Sequence, residues 1–211
     1  MTIYVMRHGE TEANKNHIIC GWLDSPLTDE GLRLAALTGE GMKRENIRFD
    51  AAFSSPFVRA KQTCREVLEK SGNADVPCFL DERLCEVYAG DWDAKSEPGR
   101  GKETPVEPNH YAIYYRDPML FGAFPGGEDF HDVLKRTADF LGWLVRQPYE
   151  IVLVSTHGFA MMAMLNPLWE TPADFWQGRG LPRNCSVNVI RTDGDGIRVI
   201  AADRIYYPQS D

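Results

Sequence analysis

The chain has 211 residues, 43% hydrophobic and 11% aromatic, enough for one cored domain and too apolar for a disordered chain. Its 31 acidic and 23 basic residues leave a formal net charge of −8, with an isoelectric point near 5.2. That balance argues against a nucleic-acid partner, which favours a basic excess, but a few convergent arginines can still make one pocket positive for a small anion.

No apolar run approaches the length of a membrane span, and the N-terminus lacks the parts of a signal peptide. No membrane partner is expected, and the expected location is cytoplasmic. The five cysteines, Cys20, Cys64, Cys78, Cys85 and Cys185, include no C-x-x-C pair and read as buried, reduced thiols. Asn184-Cys185-Ser186 fits the glycosylation pattern, but without a secretory signal it reads as chance.

Residues 2–6 are short, β-branched and aromatic, the pattern of a buried strand. Residues 28–44 predict a helix with Thr28 as N-cap and Asp29 and Glu30 in its first turn. A second strand is expected at 51–54. Ser55-Pro56 then reads as the N-cap and first residue of a helix whose core stripe is Phe57, Cys64, Val67 and Leu68. Val76 to Leu80 is a third strand candidate. Residues 93–109, "DAKSEPGRGKETPVEPN", are polar and rich in proline and glycine, and an aromatic stretch, "HYAIYYRDPMLFGAFPGG", follows. Two readings stay open for the pair: an insertion over one end of the sheet, or a surface loop followed by a core helix.

Residues 128–146 predict an amphipathic helix, 151–155 a fully buried strand, and about 158–165 another helix. Strands at about 186–191 and 197–206 are joined by Asp193-Gly194-Asp195-Gly196, a hairpin signal. Strands alternating with helices imply an α/β fold: a three-layer sandwich with a mainly parallel sheet, an antiparallel edge strand and helices on both faces. One domain over 1–211 is expected, carrying a lid or cap insertion at about 93–124.

Ligands of such sheets bind beyond the carboxyl ends of the parallel strands. The first strand ends in Arg7-His8-Gly9, the second leads to Arg59, and the 151–155 strand ends in Thr156-His157-Gly158. Any one of these is more often a packed or solvated residue than a functional one. Two histidines and two arginines on three separate strand ends have no shared structural reason, and with helix N-termini they suit a tetrahedral dianion.

"MRHGETEAN" at 6–14 resembles the signature of the histidine phosphatase, or phosphoglycerate mutase-like, superfamily. The similarity continues in family order through "GWLDSPLTDEG", "FSSPFVRAKQT", "DERLCEVYAGDW", "PGGEDFHDVLKR", "VLVSTHG" and "RNCSVNVI", covering nearly all of the chain outside 93–124. The resemblance implies that His8 is the nucleophile that becomes phosphohistidine. Arg7 and Arg59 would keep it neutral and, with His157, would hold the phosphoryl oxygens. Asn14 would add a phosphate contact, Cys20 and Gly21 would line the substrate site, and Gly9 would allow close backbone approach. Glu86, in Leu84-Cys85-Glu86, would be the general acid, with Glu82 its competitor. Glu128 and Asp24 read as residues that cap or brace structure, and His17, His110 and His131 as surface residues.

No metal-binding pattern or nucleotide loop is present, so neither metal nor cofactor is expected. Val87-Tyr88-Ala89-Gly90 after the acid resembles the phosphatase branch rather than the mutases. The branch pattern ends Gly-x-Trp-Glu-Gly, and Asp93-Ala94 departs from it, which puts the shape of the acid loop in question. In the cap stretch, Arg116 and Lys102 lie among Tyr111, Tyr114, Tyr115, Phe121 and Phe124, and Arg179 and Arg183 read either as a grip on a second anionic group or as solvated side chains. The expected activity is phosphomonoester hydrolysis of small metabolites by a monomer or homodimer. The alternatives are a cofactor-dependent phosphoglycerate mutase, a sugar-bisphosphate phosphatase, or a non-catalytic phosphate-ligand protein; the presence of both His8 and Glu86 counts against the last.

Overall fold

The computed structural model describes residues 1–99 and 106–208. Its elements are β1 (Thr2–Arg7), α1 (Glu12–Lys15), α2 (Asp29–Arg44), β2 (Ala51–Ser54), α3 (Val58–Lys70), β3 (Cys78–Leu80), α4 (Pro108–Arg116), α5 (Pro118–Phe121), α6 (Phe130–Leu144), β4 (Ile151–Thr156), α7 (Gly158–Leu165), β5 (Val187–Asp193) and β6 (Gly196–Arg204). The six strands form one sheet in the order β3-β2-β4-β1-β5-β6. Strands β3, β2, β4 and β1 run parallel, and β5 and β6 are antiparallel at one edge.

Alternation along the strands sorts the core into two faces. Ile3, Val5, Phe53, Val152 and Val154 pack with Phe140, Leu144, Met161 and Leu165 of α6 and α7. Met6, Ala52, Leu153, Val187 and Val189 pack on the other face with Ala35, Met42, Cys64 and Val67 of α2 and α3. Helices therefore cover both faces of a mainly parallel sheet with an antiparallel edge.

Thr28 caps α2 as its position predicts, its hydroxyl accepting the Gly31 N–H at 3.0 Å. The start of α3 differs from the Ser55-Pro56 reading: Phe57 is the N-cap, and Asp24 Oδ1 accepts the Val58 N–H at 2.7 Å. A carboxylate distant in sequence thus caps the helix, while the Ser55 hydroxyl accepts the Phe57 N–H at 3.4 Å and meets His157 Nε2 at 2.8 Å. β3 is shorter than expected because Val76 lies outside the β2 pairing, which begins at Cys78. The hairpin loop narrows to two residues, with Gly196 at φ +114°. Cys78 is exposed and Cys20 half-buried, so only Cys64, Cys85 and Cys185 match the expectation of buried thiols.

The aromatic stretch after 109 folds as α4 and α5. Tyr114, Phe121 and Phe124 cluster with Trp92, Phe130, Phe159 and Trp176. His110 stacks in this cluster, with its ring centroid 4.7 Å from Phe121, so it is not a simple surface residue. Lys102 lies outside the described residues.

The backbone after His8 crosses the first turn of α2 so closely that a Cβ on Gly9 would lie 2.6 Å from the Gly31 carbonyl oxygen. The close approach inferred for Gly9 is thus made to α2. Gly9→Ala is expected to lower unfolding stability by about 2 kcal/mol, read as a drop in the urea midpoint with unchanged slope.

Candidate active site

β1 and β4 pair with Arg7 opposite Thr156, and the His8 N–H continues the ladder to the Thr156 carbonyl at 2.9 Å. This register carries the two strand-end histidines to the same level, with ring centroids 5.2 Å apart. A cleft of about 530 Å³ opens there, lined by Arg7, His8, Asn14, Cys20, Gly21 and Glu86 among others.

His8 is 5% exposed. Its Nδ1 lies 2.7 Å from the Gly9 carbonyl oxygen. A carbonyl only accepts, so Nδ1 carries the proton and Nε2 keeps the free lone pair. Burial, then the charges of Arg59 and Arg7, push His8 well below the usual histidine range, and the ring is neutral. Arg7 anchors to the Pro182 carbonyl through one terminal nitrogen. Its Nε is buried without a partner, a donor awaiting an acceptor at the cleft wall.

Glu86 is buried, and three main-chain N–H groups donate to it: Val87 at 2.9 Å, and Phe159 and Ala160 in the first turn of α7 at 3.1 and 3.0 Å. Burial raises its carboxyl above the usual range, while these donors and Arg59 oppose the rise. Glu86 is therefore readier to carry a proton than an ordinary glutamate, yet its carboxylate is supported when it forms. Glu82, its competitor, is exposed in the turn before it.

Arg59 and His157 are fully buried behind the cleft and do not line it. Arg59 donates from Nε to His157 Nδ1 at 3.0 Å, and from its terminal nitrogens to the Leu23 and Gly21 carbonyls, both at 2.7 Å. Because Arg59 Nε can only donate, His157 Nδ1 accepts, and His157 Nε2 donates to Ser55. Three of the five Arg59 N–H groups thus have protein partners, and His157 is held between Arg59 and Ser55. Burial, then Arg59, keep His157 well below the histidine range.

Asn14 lies on α1, where its side chain closes a capping box with Thr11. Gly21 meets the acid loop so closely that a Cβ would lie 2.6 Å from the Val87 carbonyl oxygen. The Asp93 carboxylate accepts the N–H groups of Gly21, Trp22 and Leu23 at 2.9, 2.8 and 2.9 Å. The Asp93-Ala94 departure thus places a brace under Gly21, with Ala94 in the left-handed region at φ +63°. That conformation costs a non-glycine residue about 1 kcal/mol.

The sequence reading missed part of this site. Arg136 donates to the Arg83, Cys85 and Glu86 carbonyls and pairs with Glu128 at 2.7 Å, fixing the acid loop from α6. No local signal pointed to this, since Glu128 precedes the helix and lies eight residues from Arg136. Glu97, Ile18, Ile19 and Leu181 also line the cleft with Tyr114 and Tyr115. Arg179 instead lines a separate cavity beneath Trp169 and Trp176, Arg183 pairs with Asp203 at 3.1 Å, and Arg116 is exposed. Among the described residues, no group of three or more His, Cys, Asp or Glu is placed to hold a metal ion, and no helix is long and apolar enough to cross a membrane.

The family model described as "Histidine phosphatase superfamily (branch 1)" matches residues 3–203. A Schizosaccharomyces pombe protein named phosphoglycerate mutase is 30% identical over 198 residues, covering 92% of this chain and 91% of that protein. The solved structure of Bacillus stearothermophilus YhfR is 30% identical, with a TM-score of 0.83 and 97% of each chain covered. A mycobacterial glucosyl-3-phosphoglycerate phosphatase, solved in complex with VO3, shares the fold at 23% identity, with a TM-score of 0.81 and coverage of 96% of this chain and 98% of that one.

Arg136→Leu is expected to lower stability by about 3 kcal/mol, because it removes the cation beside Glu128 and the donor to the Arg83 and Cys85 carbonyls. Thermal unfolding measures the loss, and turnover should fall with it as Glu86 loses its fixed position.

Proposed function

The chain belongs to the histidine phosphatase superfamily, branch 1, and from that premise we propose that it hydrolyses small phosphomonoesters through a phosphohistidine on His8. The observation that carries this reading is the His8 tautomer: Nδ1 is tied to Gly9, and Nε2 is left as the nucleophilic atom of a neutral, buried ring beside the unpartnered Arg7 Nε.

In the first step Nε2 attacks phosphorus in line with the leaving alcohol oxygen. Arg7 and Asn14 meet the phosphoryl oxygens, and the buried charge of Arg59 stabilises the charge that develops. Glu86 donates its proton to the departing oxygen. In the second step its carboxylate, supported by the α7 N–H groups, takes a proton from the water that cleaves the phosphohistidine, and the neutral ring returns. His157 holds Arg59 and Ser55 in register behind the nucleophile. Tyr114 and Tyr115 of the cap segment shield the reaction from bulk water.

The cleft's composition favours hydrolysis over the mutase alternative that the S. pombe relative keeps open. Among its described lining residues Arg7 is the one arginine or lysine, and Glu97 stands with Ile18, Ile19, Tyr115 and Leu181. A phosphoglycerate brings a carboxylate, which Glu97 repels. An ester whose alcohol part is apolar or offers hydroxyl donors suits this wall.

The test is a panel of phosphomonoesters, including 3-phosphoglycerate with and without 2,3-bisphosphoglycerate, in which free phosphate and 2-phosphoglycerate are both recorded. Phosphate release is expected, falling at least about 1,000-fold in His8→Ala. Isomerisation that depends on the bisphosphate would overturn the hydrolase reading.

The pH profile follows from the two shifts. His8, lowered, stays neutral into acid; Glu86, raised, keeps its proton further up. The rate should rise as His8 loses its proton and fall as Glu86 loses its own, giving an optimum on the acid side of neutrality. Glu86→Gln should remove the alkaline limb and slow alkyl phosphates by about 100-fold or more, with a smaller loss on p-nitrophenyl phosphate, whose leaving group needs no proton.

A further inference from the structure

Two of the five cysteines stand together, away from the cleft. Cys64 is fully buried on α3, Cys78 opens the edge strand β3 on the surface, and their sulfurs lie 3.5 Å apart. We propose that Cys64 and Cys78 form a reversible thiol–disulfide pair, in which a hydroperoxide oxidises Cys78 and Cys64 resolves it.

The geometry asks for little movement. A disulfide needs its sulfurs about 1.5 Å closer than this contact. Cys78 sits on a strand of only three residues that is paired on one side alone, to β2, so the edge can give while α3 stays packed on the core. The chemistry is also asymmetric. The Cys64 S–H held against it lowers the Cys78 thiol below its ordinary range, while Cys64 is raised well above its own by that bond and by burial. Lys61, Arg65 and Glu69 line the surface hollow onto which Cys78 opens, so a hydroperoxide reaches its sulfur from solvent. The other three thiols are raised by burial, Cys185 to about 12.

In the first step the Cys78 thiolate attacks the terminal hydroperoxide oxygen. An S–O bond forms, the O–O bond breaks, and the alcohol (water, from hydrogen peroxide) leaves with a proton. Cys78 is then a sulfenic acid, oxidised by two electrons. Cys64 next loses its proton and attacks the Cys78 sulfur; the S–S bond forms, the S–O bond breaks, and the hydroxide leaves as water on taking that proton. The bridge ties the sheet edge to the helix that carries Arg59 and Thr63, and the Thr63 hydroxyl accepts the Gly9 N–H at 2.9 Å.

The test treats the full chain with hydrogen peroxide, blocks free thiols by alkylation and maps peptides without reduction. The expected product is a Cys64–Cys78 cross-link within one chain, with two of the five thiols lost and both restored by dithiothreitol. In Cys64→Ala, Cys78 should accumulate as a sulfenic acid that dimedone traps; in Cys78→Ser the cross-link should vanish and Cys64 should stay alkylatable. The proposal is overturned if wild-type Cys78 proceeds to sulfinic acid or joins a second chain while Cys64 remains free. It is equally overturned if Cys20 is oxidised first. None of these readouts depends on the reaction assigned to His8.

Discussion

The parallel pairing of β1 with β4 is the constraint on which the site depends. Both strands are buried, and their register sets Arg7 opposite Thr156. A slip of one residue would turn Ile3 and Val5 away from the α6–α7 face and carry His8 out of reach of His157, so burying the strands and assembling the site are one requirement. The 184–185 turn secures the same point from β5: the Cys185 N–H reaches the Arg7 and His8 carbonyls, and the Asn184 amide donates to the His8 carbonyl at 3.0 Å.

A fully buried arginine needs compensation, and Arg59 receives it from main-chain carbonyls and an imidazole nitrogen rather than from a carboxylate. The difference matters chemically. A paired carboxylate would cancel the charge, whereas carbonyl dipoles satisfy the N–H donors and leave a net positive field beside His8. That field, after burial, keeps the His8 ring neutral. Arg136 is held in the same way on one side, but Glu128 neutralises it, as suits a residue that fixes a loop.

The cap segment and the acid meet at Phe159. Its ring stacks on Tyr114 of α4, with centroids 4.4 Å apart, and its N–H donates to Glu86. Whatever shifts the aromatic cluster therefore also shifts the helix turn that holds the carboxyl group. Phe159 thus links Tyr114, which lines the cleft, to the carboxyl group of Glu86.

The elements whose cause is local were legible in the sequence: the buried run 151–155, the Thr28 cap, the amphipathic 128–146 stretch and the Asp-Gly turn each express a backbone or solvation preference of neighbouring residues. So was the gathering of Arg7, His8 and His157, because strand ends in a parallel sheet share one edge. Partner choice across long sequence distance was not legible. Asp24 caps α3, Asp93 braces Gly21, Arg136 locks the acid loop, and Cys78 comes to rest against Cys64; in each case a side chain could satisfy many partners, and only the packed backbone selects one. The same reason puts Arg59 and His157 behind the cleft. Burial, the His157 ring and the carbonyls of Gly21 and Leu23 decided where three of the Arg59 N–H groups point.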